Sequence, residues 1–253
     1  MVIMFTPERT RELFAKSSAI IEGHFVGTNG KHFSVYVAKD RATRLTSVTS
    51  ELCQGIAERF AGNDIDAVVA PAKGGLPLSQ WTAHHLTRLR PDRPEVLALY
   101  SEHEDKVLVE VKKGDRPIIV ELAFDHTIKI KEGEMIFLRR PTFVLKRGFE
   151  KDVRGKRVLE VEDILTTGGS AARTAQAIVE AGGILVGLGV LANGGGVTAF
   201  NVGVDRLEAL MDIGQKLFSE EECARIGLCA QGTPVNTEFG HGAAFLARKT
   251  HNR

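Results

Sequence analysis

Residues 158–170 read Val-Leu-Glu-Val-Glu-Asp-Ile-Leu-Thr-Thr-Gly-Gly-Ser, and no other stretch constrains the chain so tightly. A mostly apolar run, 158–161, ends in two acids, Glu162 and Asp163. A turn of small and hydroxylated residues follows, and then a good helix former over 171–181. Strand, acids, turn and helix in that order make a seat for a phosphorylated sugar. The turn presents free backbone N–H groups and the positive end of a helix dipole to an anion. Thr166, Thr167 and Ser170 add hydroxyl donors, while Gly168 and Gly169 let the backbone close around a phosphate. The acids sit one step earlier, where they can accept hydrogen bonds from sugar hydroxyls or hold a hydrated Mg²⁺. Adjacent acids at the end of a buried strand need either a ligand or exposure.

This stretch resembles the 5-phosphoribosyl-1-diphosphate (PRPP) motif of the type I phosphoribosyltransferases, in which the acids bind the ribose hydroxyls and the turn binds the 5-phosphate. The resemblance implies Glu162, Asp163, Ile164, Leu165, Thr166, Thr167, Gly168, Gly169 and Ser170 as PRPP-binding residues. Mg²⁺ would reach Glu162 and Asp163 indirectly, through PRPP.

The remaining elements follow from periodicity and punctuation. A first helix is expected over 6–21, with Thr6 as N-cap and Pro7 at the first helical position. Two short strands flank a turn at Asn29-Gly30 within 23–37. Leu45, Val48, Leu52, Ile56 and Phe60 put a helix over 43–61. A buried strand at 66–70 leads through Pro-Ala-Lys-Gly-Gly-Leu-Pro-Leu into a helix over 78–89, and 96–100 is another strand. Runs at 107–111, 118–122, 128–130, 135–138 and 143–145 are short and β-like, and read as antiparallel hairpins inserted at about 101–150. A buried strand over 184–191 ends in Asn193-Gly194-Gly195-Gly196. The tail, 219–253, is polar and turn-rich, with one short helix at 220–225.

Strands alternating with helices imply an α/β fold with a mostly parallel sheet covered on both faces. Ligands bind such sheets beyond the carboxyl ends of the strands, where the turns at Lys73, Gly168 and Gly194 all fall. The expected whole is a type I phosphoribosyltransferase-like core flanked by helices, with an N-terminal hood and inserted β-hairpins. It forms a single domain over 1–253: helices and hood at 1–62, the core at 63–200, and a C-terminal segment at 201–253.

Further stretches resemble the orotate phosphoribosyltransferases. They are Gly23-His24-Phe25-Val26 with Asn29-Gly30-Lys31-His32 and Tyr36, residues 71–78, Lys146-Arg147-Gly148-Phe149-Glu150, and the tail from Gly232 to Gly242. The family's reaction joins a nitrogenous base to C1 of PRPP and expels diphosphate. The resemblance implies Lys73, Gly74 and Gly75 at the diphosphate, with Lys106, Lys146 or Arg147 covering it from a loop, across a homodimer interface as in family members. Thr28, Lys31, Tyr36, Thr166 and Asn193 would approach the base.

Three departures stand out. Lys73 sits one place early in its loop, and residues 101–106 carry acids where the family's mobile loop carries bases. Asn193 stands where the family commonly has an arginine that pairs with the orotate carboxylate. An amide cannot supply that charged clamp, so orotate is expected to bind weakly unless Lys31 or Arg147 substitutes. A purine or non-acidic pyrimidine is therefore an alternative base, and a PRPP-binding regulator without turnover is an alternative class.

A regulator would need a nucleic-acid module. Thirty-three basic residues against thirty-two acidic leave +1, with neither a basic run nor a spare helix-turn-helix segment, so no nucleic-acid partner is expected. No apolar run spans a bilayer, so no membrane partner is expected either. Residues 1–9 lack the charged start and apolar core of a signal peptide, and three cysteines suit a reducing cytoplasm. Cys223 and Cys229 stand six apart with no His or Cys partner pair nearby, so a zinc site is not expected.

Overall fold

The computed structural model describes residues 5–27, 29–104, 106–113, 116–123, 135–138 and 143–251. Helix α1 (Pro7–Lys16) is capped by the Thr6 side chain, which accepts from the Arg9 N–H at 3.3 Å. It stops well short of residue 21. Ser17 turns its hydroxyl back onto the carbonyls of Leu13 and Phe14, and Ser18 takes φ +52°. Ile20 and Ile21 instead open strand β1 (Ile20–Val26), which pairs antiparallel with β2 (His32–Val37) around the expected turn. The helix expected over 43–61 is α3 (Thr46–Phe60), and a short α2 (Lys39–Thr43) precedes it.

The core alternates as the pattern implies, through β3 (Ala67–Pro71), α4 (Leu76–Leu89), β4 (Leu97–His103), β8 (Phe143–Val144), α5 (Phe149–Val153), β9 (Arg157–Leu165), α6 (Gly169–Glu180), β10 (Ile184–Asn193), α7 (Ala199–Val202) and β11 (Leu207–Asp212). The sheet order is β11-β10-β9-β3-β4-β8, parallel except for β8, which runs antiparallel to β4. The run 143–145 thus belongs to the main sheet and not to the insertion. Between β4 and β8 the insertion forms its own antiparallel sheet, ordered β6-β5-β7, from β5 (Lys106–Lys113), β6 (Arg116–Ala123) and β7 (Met135–Leu138). The run expected at 128–130 lies outside the described residues.

Strand β9 is central, and alternation sends its side chains to opposite faces. Leu159 and Val161 join a core with α3 and α4, while Val158 packs with Ile178 of α6 on the other face. Helix α3 presents Val48, Leu52, Ile56 and Phe60 to the sheet, all within 1% of full burial. It approaches closely because β10 offers Gly187 and Gly189 there. A Cβ on Gly189 would lie 2.5 Å from Ile56 Cγ2.

After β11 the tail is more ordered than its composition suggests. Helix α8 (Glu220–Ile226) is capped by a reciprocal Ser219–Glu222 box, and α9 (Gly242–His251) follows. The tail also docks on the N-terminal hairpin: Phe218 and His32 exchange backbone hydrogen bonds of 2.8 and 2.9 Å, and the Asn236 N–H donates to the His24 carbonyl at 2.7 Å. This docking brings His24 and His32 against Cys223 and Cys229, which corrects the expectation that the cysteines have no histidine partners. The histidines are remote in sequence and adjacent only in the fold.

Gly189→Ala should overpack the α3 contact and cost about 1–3 kcal/mol in denaturant unfolding. Adding Ile56→Ala should recover at least ~0.5 kcal/mol relative to the sum of the two single changes. Strict additivity would show that helix and strand do not meet there.

Candidate active site

The carboxyl ends of β9, β10 and β11 open into a cavity of about 320 Å³, roofed by the hairpin and the tail. Asp163, Thr166 and Gly194 line it from the sheet edge, Tyr36 and Lys39 from the hairpin side, and Gly240 and His241 from the tail.

Glu162 and Asp163 are strand neighbours and therefore point to opposite faces. Asp163 turns toward the cavity, where its Oδ2 pairs with the Lys39 ammonium and its Oδ1 accepts the Ile164 N–H at 2.6 Å. Burial works against the Lys39 charge, but the carboxylates of Asp163 and Glu162 outweigh it and raise the lysine above its ordinary value. Gly74 closes over this pair: a Cβ there would sit 2.7 Å from Asp163 Oδ2 and 2.9 Å from Lys39 Nζ.

Glu162 turns instead toward α6. It accepts the Ser170 hydroxyl at 2.8 Å and the Asp163 N–H at 3.0 Å. Burial, with the Asp163 charge behind it, nevertheless pushes its carboxyl up to about 7. Glu160, two residues earlier on the same face, is fully buried, and neither of its oxygens has a hydrogen-bond partner among the described residues. Burial and the nearby Glu162 hold it well above the usual carboxylate range, as the neutral acid.

The turn beyond the acids is built by close contacts. Gly168 has φ +75°, and a Cβ on it would meet Val202 Cγ1 at 2.5 Å. Gly195, after β10, lies so close that a Cβ would fall 1.7 Å from the Thr166 carbonyl oxygen, and the N–H groups of Gly194 and Gly195 both bond the Leu165 carbonyl. Gly169 is different. Its Cβ position has only ordinary contacts, 3.6 Å from Arg173 and 3.7 Å from Thr167. The start of α6 is thus locked from behind and open in front, as an anion seat requires.

Residues 42–204, more than half of the chain, match the phosphoribosyl transferase domain. The chain belongs to the phosphoribosyltransferase family. It is 30% identical over 228 residues to an orotate phosphoribosyltransferase of Desulforamulus reducens, covering 90% of this chain and 94% of that relative. A second relative of that description, from Pelotomaculum thermopropionicum, is 30% identical over 226 residues, covering 88% and 92%. The crystal structure of Mycobacterium tuberculosis orotate phosphoribosyltransferase in complex with Fe(III) dicitrate has the same fold. It aligns with a TM-score of 0.50 and 20% identity, over 81% of this chain and 96% of that one.

In this phosphoribosyltransferase the structure gathers some of the expected site residues and separates others. Asp163, Ile164, Thr166 and Tyr36 line the cavity, and Gly74 and Gly75 border it through the Asp163 contact and the start of α4. Lys73 is exposed beside them. Lys146 and Arg147 lie apart, at the β4–β8 edge, where both meet Glu102, Lys146 at 3.8 Å and Arg147 at 3.1 Å. Lys106 opens β5, where the backbone alone is described, and Thr28 lies outside the described residues. Lys31 sits in the hairpin turn and is not among the cavity-lining residues.

The Asn193 amide closes the following loop on itself, donating to the Val197 carbonyl at 2.9 Å and accepting the Val197 N–H at 3.0 Å. Conversely, Lys39, Gln215 and His241 line the cavity without having been expected there. Nothing local marks Lys39. Its role depends on where the hairpin docks.

Two predictions follow from this geometry. Gly168→Ala should lower stability by at least ~2 kcal/mol, since the left-handed backbone alone costs about 1–2, whereas Gly169→Ala should stay within about 0.5. Equal losses in denaturant titrations would contradict the packing described. The second concerns Glu162. A carboxyl raised from 4.5 to about 7 takes up a proton on folding, so stability falls as pH rises through that window. Ligand-free Glu162→Gln should therefore melt higher than wild type at pH 8, by roughly 2–6 °C, with the gap closing near pH 4.5. A constant gap across that range would place the wild-type carboxyl elsewhere.

Proposed function

We propose that this protein is an orotate phosphoribosyltransferase, a pentosyltransferase that joins orotate to C1 of PRPP, releases diphosphate and yields a nucleoside monophosphate. The observation that carries the reading is the meeting, in one cavity, of Asp163 and Thr166 from the PRPP motif with Tyr36 of the hairpin and Lys39 just after it, while Gly74 packs against the Asp163–Lys39 pair. Relatives of that description, similar along nine-tenths of the chain, support it.

Departure of diphosphate leaves an oxocarbenium-like ribose, so the site must hold the sugar and neutralise the leaving group. Asp163 accepts from the ribose hydroxyls, and Glu162 supports the turn through Ser170. Residues 166–170 hold the 5-phosphate by N–H groups and hydroxyls. Lys73, Gly74 and Gly75 face the diphosphate. Mg²⁺ fits the oxygen donors here: Asp163 and, indirectly, Glu162 would hold it through PRPP, and it would supply charge neutralisation to the leaving diphosphate. Lys39 exchanges Asp163 for substrate as the ribose enters. Lys146 and Arg147 leave Glu102 to cover the diphosphate, together with Lys106.

The cavity-lining side chains able to carry positive charge are Lys39 and His241, so these face the orotate carboxylate in this reading. Tyr36 and Thr166 flank the ring, and Lys31, Thr28 and Asn193 remain proposed base contacts. The chain acts as one domain over 1–253, in the cytoplasm and as a homodimer, without nucleic-acid or membrane partners. Among the described residues no helix is long and apolar enough to cross a membrane.

Diphosphate should appear only when PRPP, Mg²⁺ and orotate are all present, and Asp163→Asn should lower kcat by at least ~100-fold with the far-UV circular dichroism retained. PRPP binding without diphosphate release for any base would make the protein a regulator. Near-normal turnover in Asp163→Asn would remove that residue from the reaction.

A further inference from the structure

Away from the cavity floor, four side chains able to ligate a metal meet where the hairpin joins the tail. His24 lies on β1 and His32 opens β2, while Cys223 lies on α8 and Cys229 in the turn after it. Their ligand atoms all lie within 4.8 Å of one another. His24 Nε2 is 2.8 Å from His32 Nδ1, 3.6 Å from Cys223 Sγ and 3.7 Å from Cys229 Sγ, and Cys229 Sγ is 3.7 Å from His32 Nδ1. His24, His32 and Cys223 are 1%, 0% and 0% exposed.

We propose that His24, His32, Cys223 and Cys229 bind one structural zinc ion that clamps the C-terminal tail onto the N-terminal hairpin. Two imidazoles and two thiols are a complete tetrahedral donor set for zinc, and the thiolates balance its charge. Zn–N bonds of about 2.0–2.1 Å and Zn–S bonds of about 2.3 Å set N-to-S separations near ~3.6 Å and an N-to-N separation near ~3.3 Å. The three N-to-S distances given above already match. The imidazoles must part by roughly 0.5 Å to admit the ion.

The surrounding contacts prepare the ligands. His24 Nδ1 lies 2.8 Å from the Thr233 carbonyl, which can only accept, so Nδ1 carries the proton and Nε2 presents its lone pair to the cluster. The Cys229 N–H donates to Cys223 Sγ at 3.3 Å and ties the two cysteines together. With no ion, His32 Nδ1 faces the His24 Nε2 lone pair at 2.8 Å, so two nitrogens that could both ligate a metal are left to share one proton. Four protein ligands leave no open position for water, so the ion is structural and takes no part in catalysis.

Its place in the fold says what it stabilises. From the hairpin and tail that it joins come Val26, Gly240 and His241, all lining the cavity, and the His241 N–H bonds the Val26 carbonyl at 2.7 Å. The clamp therefore holds the cavity roof, whatever substrate lies beneath.

Metal content tests this independently of any activity. Protein purified under reducing conditions without chelator, from zinc-supplemented cells, should carry close to one zinc per chain by elemental analysis, and Cys229→Ser should lose most of it. Metal-free wild type should take up one Co²⁺ with a thiolate-to-cobalt charge-transfer band, displaced by Zn²⁺. Chelation should lower the wild-type melting temperature by at least ~5 °C and leave Cys229→Ser unmoved. If Cys229→Ser fails to fold, the wild-type Co²⁺ titration decides alone. Wild type that takes up neither Zn²⁺ nor Co²⁺, a native Cys223–Cys229 disulfide, or undiminished zinc in Cys229→Ser would overturn the proposal.

Discussion

The structure turns on how three carboxyls are kept inside the central strand. Glu160, Glu162 and Asp163 are 0%, 5% and 4% exposed, and ionised carboxylates in such surroundings cost several kcal/mol each unless they are paired. Each is handled differently. Glu160 stays protonated, Glu162 is raised toward neutrality, and Asp163 keeps a cation, Lys39, beside it. That last pairing constrains the rest. Lys39 follows directly on the hairpin, so a charge on the middle strand of the core dictates where the N-terminal segment docks. The cavity exists because of that docking.

The glycines serve the same geometry from the other side. Gly74, Gly168 and Gly195 occur in three different turns, yet each has a side-chain position already filled by atoms of the site: the Asp163–Lys39 pair, Val202 behind the start of α6, and the Thr166 carbonyl. Backbone, not side chain, brings the ends of β3, β9 and β10 together. An acid paired with a cation and a turn held rigid from behind form a consistent pair: the turn is preorganised, and in the proposed reaction the acid exchanges Lys39 for ribose.

Much of this could be read from the chain because it was local. The motif at 158–170, the Asn29-Gly30 turn and the alternating strands carry their signals within a few residues, and the structure has them. The errors are equally physical. The first helix was drawn too long because Ile20 and Ile21 continue an apolar rhythm, although Ser17 and Ser18 end it through backbone hydrogen bonds and a left-handed residue. Helix α9 was missed because Phe245 is the one large apolar side chain it buries, which leaves no stripe to detect. Asn193, just before three glycines, ties its own loop, a use of its side chain that its position at the end of β10 does not announce. Lys39 and the histidines of the hairpin were invisible for a different reason. Their partners lie between 124 and 205 residues away, and spacing rules read only neighbours.

Those long-range partners share a logic. The hairpin is held on its cavity side by a charge in the sheet, through Lys39 and Asp163, and on its outer side by the tail, through His24, His32 and the two cysteines. An isolated two-stranded hairpin is marginal at best in water, and this one forms the wall of a cavity. In the proposed reaction the ion pair does not hold it alone, because there Asp163 exchanges Lys39 for ribose. The outer attachment does not touch substrate and need not change during turnover. Separating a contact that is exchanged from a contact that is permanent lets the hairpin stay docked while the residues beneath it rearrange. It also explains why a polar, turn-rich tail folds back almost the full length of the chain to reach it.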